Sequence, residues 1–132
     1  MLQRLMVQWI LGQNIHQAAS AGDLTRVRAL LIGDPSLANA RDAQDMTPLH
    51  LAAAKGHFSV AEVLVARGAN VHAVDVRYRL TPLHLAAQNG HQLMTKFLLA
   101  KGANPQATDS NGHTPLMLAR DRHKPAVVEL LQ

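Results

Sequence analysis

The 132-residue sequence contains no cysteine. That absence excludes disulfides, a thiolate nucleophile and cysteine-type zinc sites together, and it permits a reducing cytoplasm without requiring one. Aromatic side chains are scarce as well, at one Trp, one Tyr and two Phe, whereas 48 % of the chain is hydrophobic. Any core must therefore be aliphatic and built in thin layers of Ala, Leu and Val, a composition that suits closely packed helices. No apolar run approaches the length that spans a bilayer. Charge of one sign is not concentrated either: 13 basic and 9 acidic side chains, a formal +4, alternate along the chain. A nucleic-acid binder of this size needs a denser basic patch to neutralise several phosphates at once, so no nucleic-acid partner is expected.

What the chain does contain is internal repetition. Thr47-Pro48-Leu49-His50-Leu51-Ala52-Ala53 recurs 34 residues later as Thr81-Pro82-Leu83-His84-Leu85-Ala86-Ala87, and Thr114-Pro115-Leu116-Met117-Leu118-Ala119 follows after another 33. Gly56-His57 matches Gly90-His91, and Gly68-Ala69-Asn70 matches Gly102-Ala103-Asn104. Asp42, Asp75 and Asp109 each stand shortly before their Thr. Thr47 and Thr81 can cap a helix, and the Pro after each occupies the first helical position, where its missing N–H costs nothing. The pattern predicts a helix from Pro48 to Lys55 closed by Gly56, then a second over about 59–66 that places Val60, Val63 and Leu64 on one side. A matching second helix over about 93–100 carries Met94, Phe97 and Leu98.

These residues resemble the ankyrin repeat, whose Thr-Pro-Leu-His-x-Ala signature is among the more specific short repeat patterns. The resemblance covers residues 15–132 and implies an all-α solenoid of about four helix-turn-helix units with short β-turn or hairpin fingers. The units read as about 15–41, 42–74, 75–108 and 109–132, all within a single domain, 1–132. The first is degenerate but legible in Ile15 to Gly22 followed by Val27 to Leu31. One pair of short helices cannot bury its apolar face alone, so neighbouring units must supply the core. Ala52, Ala53, Ala86 and Ala87 are small where helices must approach closely.

Ahead of the repeats, Leu2, Leu5, Met6, Trp9 and Ile10 follow helical spacing. They predict a capping helix over 1–14 that lies as a lid on the first unit; the competing reading is a free helix that attaches to a partner or a membrane surface. Arg4, the apolar stretch after it and Ala19-Ser20-Ala21 make a poor secretory signal, because the stretch is short and interrupted by Gln8. A cytoplasmic location is expected over secretion. At the other end Arg120 replaces a small Ala, and Asp121-Arg122-His123-Lys124 stands where other units carry Gly and His. Pro125 restarts a last helix to Leu131. These charges predict a polar cap that ends the array, and with both ends capped a monomer is expected.

Eight histidines invite a metal or acid–base reading. The resemblance instead implies that His50 and His84 tie the capping turn together and that His57 and His91 contact backbone in adjacent turns. His50 and His57, like His84 and His91, lie seven apart across a glycine, not at the i, i+4 spacing that puts two ligands on one helical face. No phosphate loop, nucleophile elbow or carboxylate pair is present. Asp42, Asp75 and Asp109 recur with the repeat as turn formers. No catalytic residue, metal or cofactor is therefore expected; a metal- or small-ligand-binding domain using the His-rich turns is the alternative.

The resemblance implies that partners meet the face made of turn tips and first helices. In the second unit the tip holds Gln44 and Met46, in the third Val76, Arg77, Tyr78 and Arg79, and in the fourth Ser110, Asn111 and His113. The first helices end in Lys55, in Gln88 and Asn89, and in Asp121 and Arg122. None of these positions is expected to be needed by the fold. The usual turn glycine survives only as Gly112; Asp45 replaces it in the second unit, and Asp visits positive φ more readily than most residues. The third tip is one residue longer and lacks glycine. Its Tyr and two Arg are types enriched in interface hot spots and suggest a protein partner with an acidic or phosphate-bearing surface. A solvated loop with an incidental Tyr is the alternative.

Overall fold

The computed structural model describes residues 14–132. The expected capping helix over 1–14 and its apolar stripe lie outside the described residues, apart from Asn14. Helical residues 14–21 (α1) turn back through Gly22 into α2, Leu24–Gly33, whose N-terminus is capped by the Asp23 side chain on the Arg26 amide. A short 3₁₀ helix, Pro35–Asn39, follows. Three further hairpins are α3 and α4 (Pro48–Lys55, Phe58–Ala66), α5 and α6 (Pro82–Gln88, Gln92–Ala100), and α7 and α8 (Pro115–Asp121, Pro125–Leu131). Among the described residues no strand forms, so the fingers between hairpins are turns.

Each hairpin is built as its sequence dictates. Thr47, Thr81 and Thr114 accept the amides of His50, His84 and Met117, and Pro fills the first helical position in all three units. Gly56 closes α3 in the left-handed region at φ 75°. The observed helices match the expected ones except that α4 and α6 begin one residue earlier and α8 begins at Pro125 itself.

The hairpins stack in two rows. The first helices form one, with α3 packed on α5 and α5 on α7; the second helices form the other, with α2 on α4, α4 on α6 and α6 on α8. Between the rows runs an aliphatic core. Leu49, Leu64, Leu83 and Leu98 are fully buried, as are Ala52, Ala53, Ala86 and Ala87. Leu116 departs from this pattern and is only half-buried. The helices that carry its counterparts Leu49 and Leu83 each pack on a following first helix, and no described unit follows the fourth. Phe58 and Phe97 meet edge to face on the outer row, their ring centres 5.4 Å apart.

Candidate functional site: the finger row

The turn tips are assembled around the three recurring aspartates. In the second unit Asp42 Oδ1 accepts from the amides of Gln44 and Met46, each at 2.9 Å. Asp109 Oδ1 repeats this with Asn111 and His113, also at 2.9 Å. In the longer third tip the pattern moves on by one residue: Asp75, fully buried, accepts from Tyr78 at 2.8 Å and from Leu80 at 2.7 Å. The left-handed position moves with it. Asp45 holds it at φ 63° and Gly112 at 79°, whereas in the third tip it falls on Arg79 at 55°. The sequence showed that this tip lacks glycine without revealing which side chain would take the strained place.

Neighbouring tips are joined. Asp45 Oδ2 accepts the Val76 amide at 2.8 Å, and the Tyr78 carbonyl accepts the Ser110 amide at 2.9 Å. Arg41 Nη1 donates to the carbonyls of Asp45 and Val74. Arg41 and this use of Asp45 were missed in the sequence; the available signal was an acidic residue standing where the turn wants glycine. The resulting row brings Gln44, Val76 to Arg79, Ser110 and Asn111 side by side, all exposed. Val76 is 84 % exposed and Tyr78 50 %, two large side chains open to solvent on one tip. The Arg77 guanidinium lies 5.9 Å from the Tyr78 ring centre, a cation–π distance that braces both. Among the described residues neither Arg77 nor Arg79 has a carboxylate partner.

Lys55, Gln88, Asn89, Asp121 and Arg122 occupy the far ends of the first helices, about 12 Å along the axis of an eight-residue helix such as α3. The structure corrects the expectation that none of the tip and helix-end positions serves the fold. Asn89 donates its side-chain amide to the carbonyls of Ala54 and Leu85 at 3.1 and 3.0 Å, which links two units. Met46 and His113 are half-buried, and their carbonyls anchor the turns by accepting the Asp42 and Asp109 amides. Arg79 carries the left-handed turn position. Lys55, Asp121 and Arg122 are exposed, and Gln88 is half-buried.

Five of the eight histidines are bound into the scaffold through ring hydrogen bonds. His50 Nδ1 lies 2.8 Å from Thr47 Oγ1 and accepts from the Thr47 amide, while Nε2 reaches the Leu80 carbonyl at 2.8 Å. A carbonyl can only accept, so Nε2 carries the proton and the ring is neutral. His84 repeats the arrangement with Thr81 and the His113 carbonyl, and His16 reaches the Met46 carbonyl. Each of these rings thus ties its own unit to the finger of the next. His57 and His91 point the other way, to the carbonyls of Ser20 and Ala54 in the preceding units. Burial pushes the His50 and His84 rings below histidine's ordinary 6.5, against the opposing pull of the carbonyls they bind. Burial alone would raise the Asp109 carboxyl, but amide hydrogens from His113 and Asn111 outweigh it and hold the group below 3.8. Among the described residues no three His, Asp or Glu side chains converge as metal ligands, and no helix is long and apolar enough to cross a membrane.

Two family models match the chain. One, described as ankyrin repeats (3 copies), covers residues 69–132, and another, described as ankyrin repeats (many copies), covers 15–65. Human ankyrin repeat domain-containing protein 49 is 48 % identical over 59 residues, 45 % of this chain and 25 % of that protein. The potassium channel KOR1 of Oryza sativa subsp. japonica is 44 % identical over 66 residues, 48 % of this chain and 7 % of the channel. Human transient receptor potential cation channel subfamily A member 1 is 46 % identical over 57 residues, 42 % of this chain and 5 % of that protein. The matched regions therefore span a quarter or less of these relatives.

Proposed function

The chain belongs to the ankyrin-repeat family, and from that premise we propose that it is a non-enzymatic adaptor or inhibitor that binds a protein partner along the finger row and the adjoining first helices. Ankyrin repeats generally serve as protein–protein interaction modules. The observation that carries the reading here is the third finger, where Val76, Arg77, Tyr78 and Arg79 are all exposed on a turn held by Asp75 and by bonds to both neighbouring fingers. A rigid finger loses little freedom on docking, which favours affinity. Tyr and Arg are the residue types that most often dominate interfaces, and two guanidiniums with no carboxylate partner among the described residues suit an acidic partner surface. We place the protein in the cytoplasm as a monomer.

Affinity capture from cells of the source organism tests the reading, with the wild type beside an Arg77→Ala/Tyr78→Ala/Arg79→Ala triple variant. The wild type is expected to retain a partner that the variant binds with at least about thirtyfold weaker affinity, the loss of one hot spot worth about 2 kcal/mol. A partner captured equally by both proteins would move the site elsewhere.

A further inference from the structure

The chain contains two Asn-Gly pairs, Asn89-Gly90 and Asn111-Gly112, and the fold treats them in opposite ways. A glycine after asparagine leaves the peptide nitrogen unhindered for attack on the asparagine side chain, so both pairs carry the same intrinsic reactivity in an unfolded chain. In the folded protein the Asn89 amide is pinned by the carbonyls of Ala54 and Leu85. The space over Gly90 is filled by Lys124, whose Cδ stands 2.7 Å from where a β-carbon would be. Ring closure there requires breaking two side-chain hydrogen bonds beneath the Lys124 side chain. Asn111 is exposed at the tip of the fourth finger, its side-chain amide is held by no hydrogen bond among the described residues, and nothing lies within 4 Å of the corresponding point on Gly112. The backbone bonds are matched, since the Gly90 and Gly112 amides both donate within their turns, at 3.1 and 3.0 Å.

We propose that Asn111 is a site of spontaneous, fold-selected deamidation, and that Asn89 is protected. The Gly112 nitrogen gives its proton to solvent base and attacks Asn111 Cγ. The new C–N bond closes a five-membered imide as the side-chain nitrogen leaves as ammonia. Water then opens the ring at one of its two carbonyls, giving aspartate or, with an extra main-chain methylene, isoaspartate. No oxidant, metal or enzyme is needed. The product places a carboxylate on the finger whose Ser110 amide is bonded to the Tyr78 carbonyl, next to the third finger, whose two arginines have no carboxylate partner among the described residues. Ageing of the protein thus makes the exposed finger row more negative where an acidic partner would meet it. The chemistry itself does not depend on that partner.

The test is peptide mapping by mass spectrometry after prolonged incubation in mildly alkaline buffer, on the folded full chain and on the chain in urea. In the folded protein the one-mass-unit gain and the isoaspartate signal are expected at residue 111 at least about tenfold faster than at 89, because reaction at 89 must await local opening. In urea the two rates should converge. Asn111→Gln should abolish the early acidic species on ion exchange. Equal rates in the folded state, faster conversion at 89, or a folded chain in which 111 reacts no faster than 89 while urea releases both would overturn the proposal.

Discussion

Leu83 is fully buried between the rows, and its truncation shows how much a single aliphatic layer contributes. Leu83→Ala is expected to cost about 2 to 5 kcal/mol, the range for cavities in a core that collapses incompletely. Urea denaturation measures it, and an unchanged midpoint would mean that Leu83 lies outside the core. Glycines separate two kinds of strain. Gly56 and Gly68 both sit at positive φ, 75° and 96°, but a β-carbon on Gly56 would fall 2.6 Å from His91 Nδ1 while one on Gly68 meets nothing within 4 Å. Gly68→Ala should therefore lose about 1 kcal/mol, the backbone cost alone. Gly56→Ala should lose clearly more, because it also displaces the ring that bonds the Ala54 carbonyl; equal midpoints would contradict this. Histidine protonation acts in the same direction. His50 and His84 have folded-state pKa values below the unfolded 6.5, so in the window beneath 6.5 the unfolded chain binds more protons. Their stabilisation is complete above that value and is lost as pH falls through the folded-state values. Urea midpoints should fall from neutral to mildly acidic pH, and a midpoint that rises would remove these two rings from the buried neutral state.

The Thr-Pro-Leu-His element works as a two-sided clasp. On one side it caps its own helix; on the other it reaches the carbonyl that precedes the next unit's Thr. The fourth unit carries Met117 in place of the histidine, exposed, with no described finger beyond it to hold. His84→Met should thus cost about 1 to 3 kcal/mol, since the buried Thr81 amide loses its partner. Met117→His should stay within about 0.5 kcal/mol, the usual range at an exposed position. Equal effects in thermal unfolding would show that the clasp between units contributes nothing. This element was legible in the sequence because the chemistry repeats at fixed spacing: the cap, the first-turn Pro and the closing Gly identified α3 over its whole length, and the cap and Pro identified the start of α5. The finger details were not, because they depend on contacts between units. Arg79 and His123 adopt positive φ in places where the sequence offers no glycine, so residue type gave no signal for the left-handed position there. The 3₁₀ helix Pro35–Asn39 was missed for a related reason. Its Asn39 side chain donates to the Gly68 carbonyl and accepts the Asn70 amide, partners about thirty residues away that local pattern cannot reveal.

Taken together, the hairpins form a quasi-one-dimensional stack whose stability comes from unit and interface terms. Central units gain two interfaces, and the fourth described unit gains one. Its burial reflects this: Leu116, Val128 and Leu131 are half-buried, whereas Leu83 and Met94 in the third unit are covered on both sides. Arg120 is exposed where Ala53 and Ala87 are fully buried. The scaffold and the finger row should therefore be separable. Changing Arg77 and Tyr78 to Ala removes no side-chain hydrogen bond among the described residues, and it should leave the urea midpoint within about 0.5 kcal/mol of wild type while removing the proposed hot spot. A stack of this kind also opens from its weaker units first. Amide hydrogen exchange, read helix by helix in the wild-type protein, tests that directly. Protection should be greatest in α3 and α5 and should fall through α7 to α8. Uniform protection along the chain, or α8 exchanging more slowly than α5, would contradict a stack held together by its neighbours.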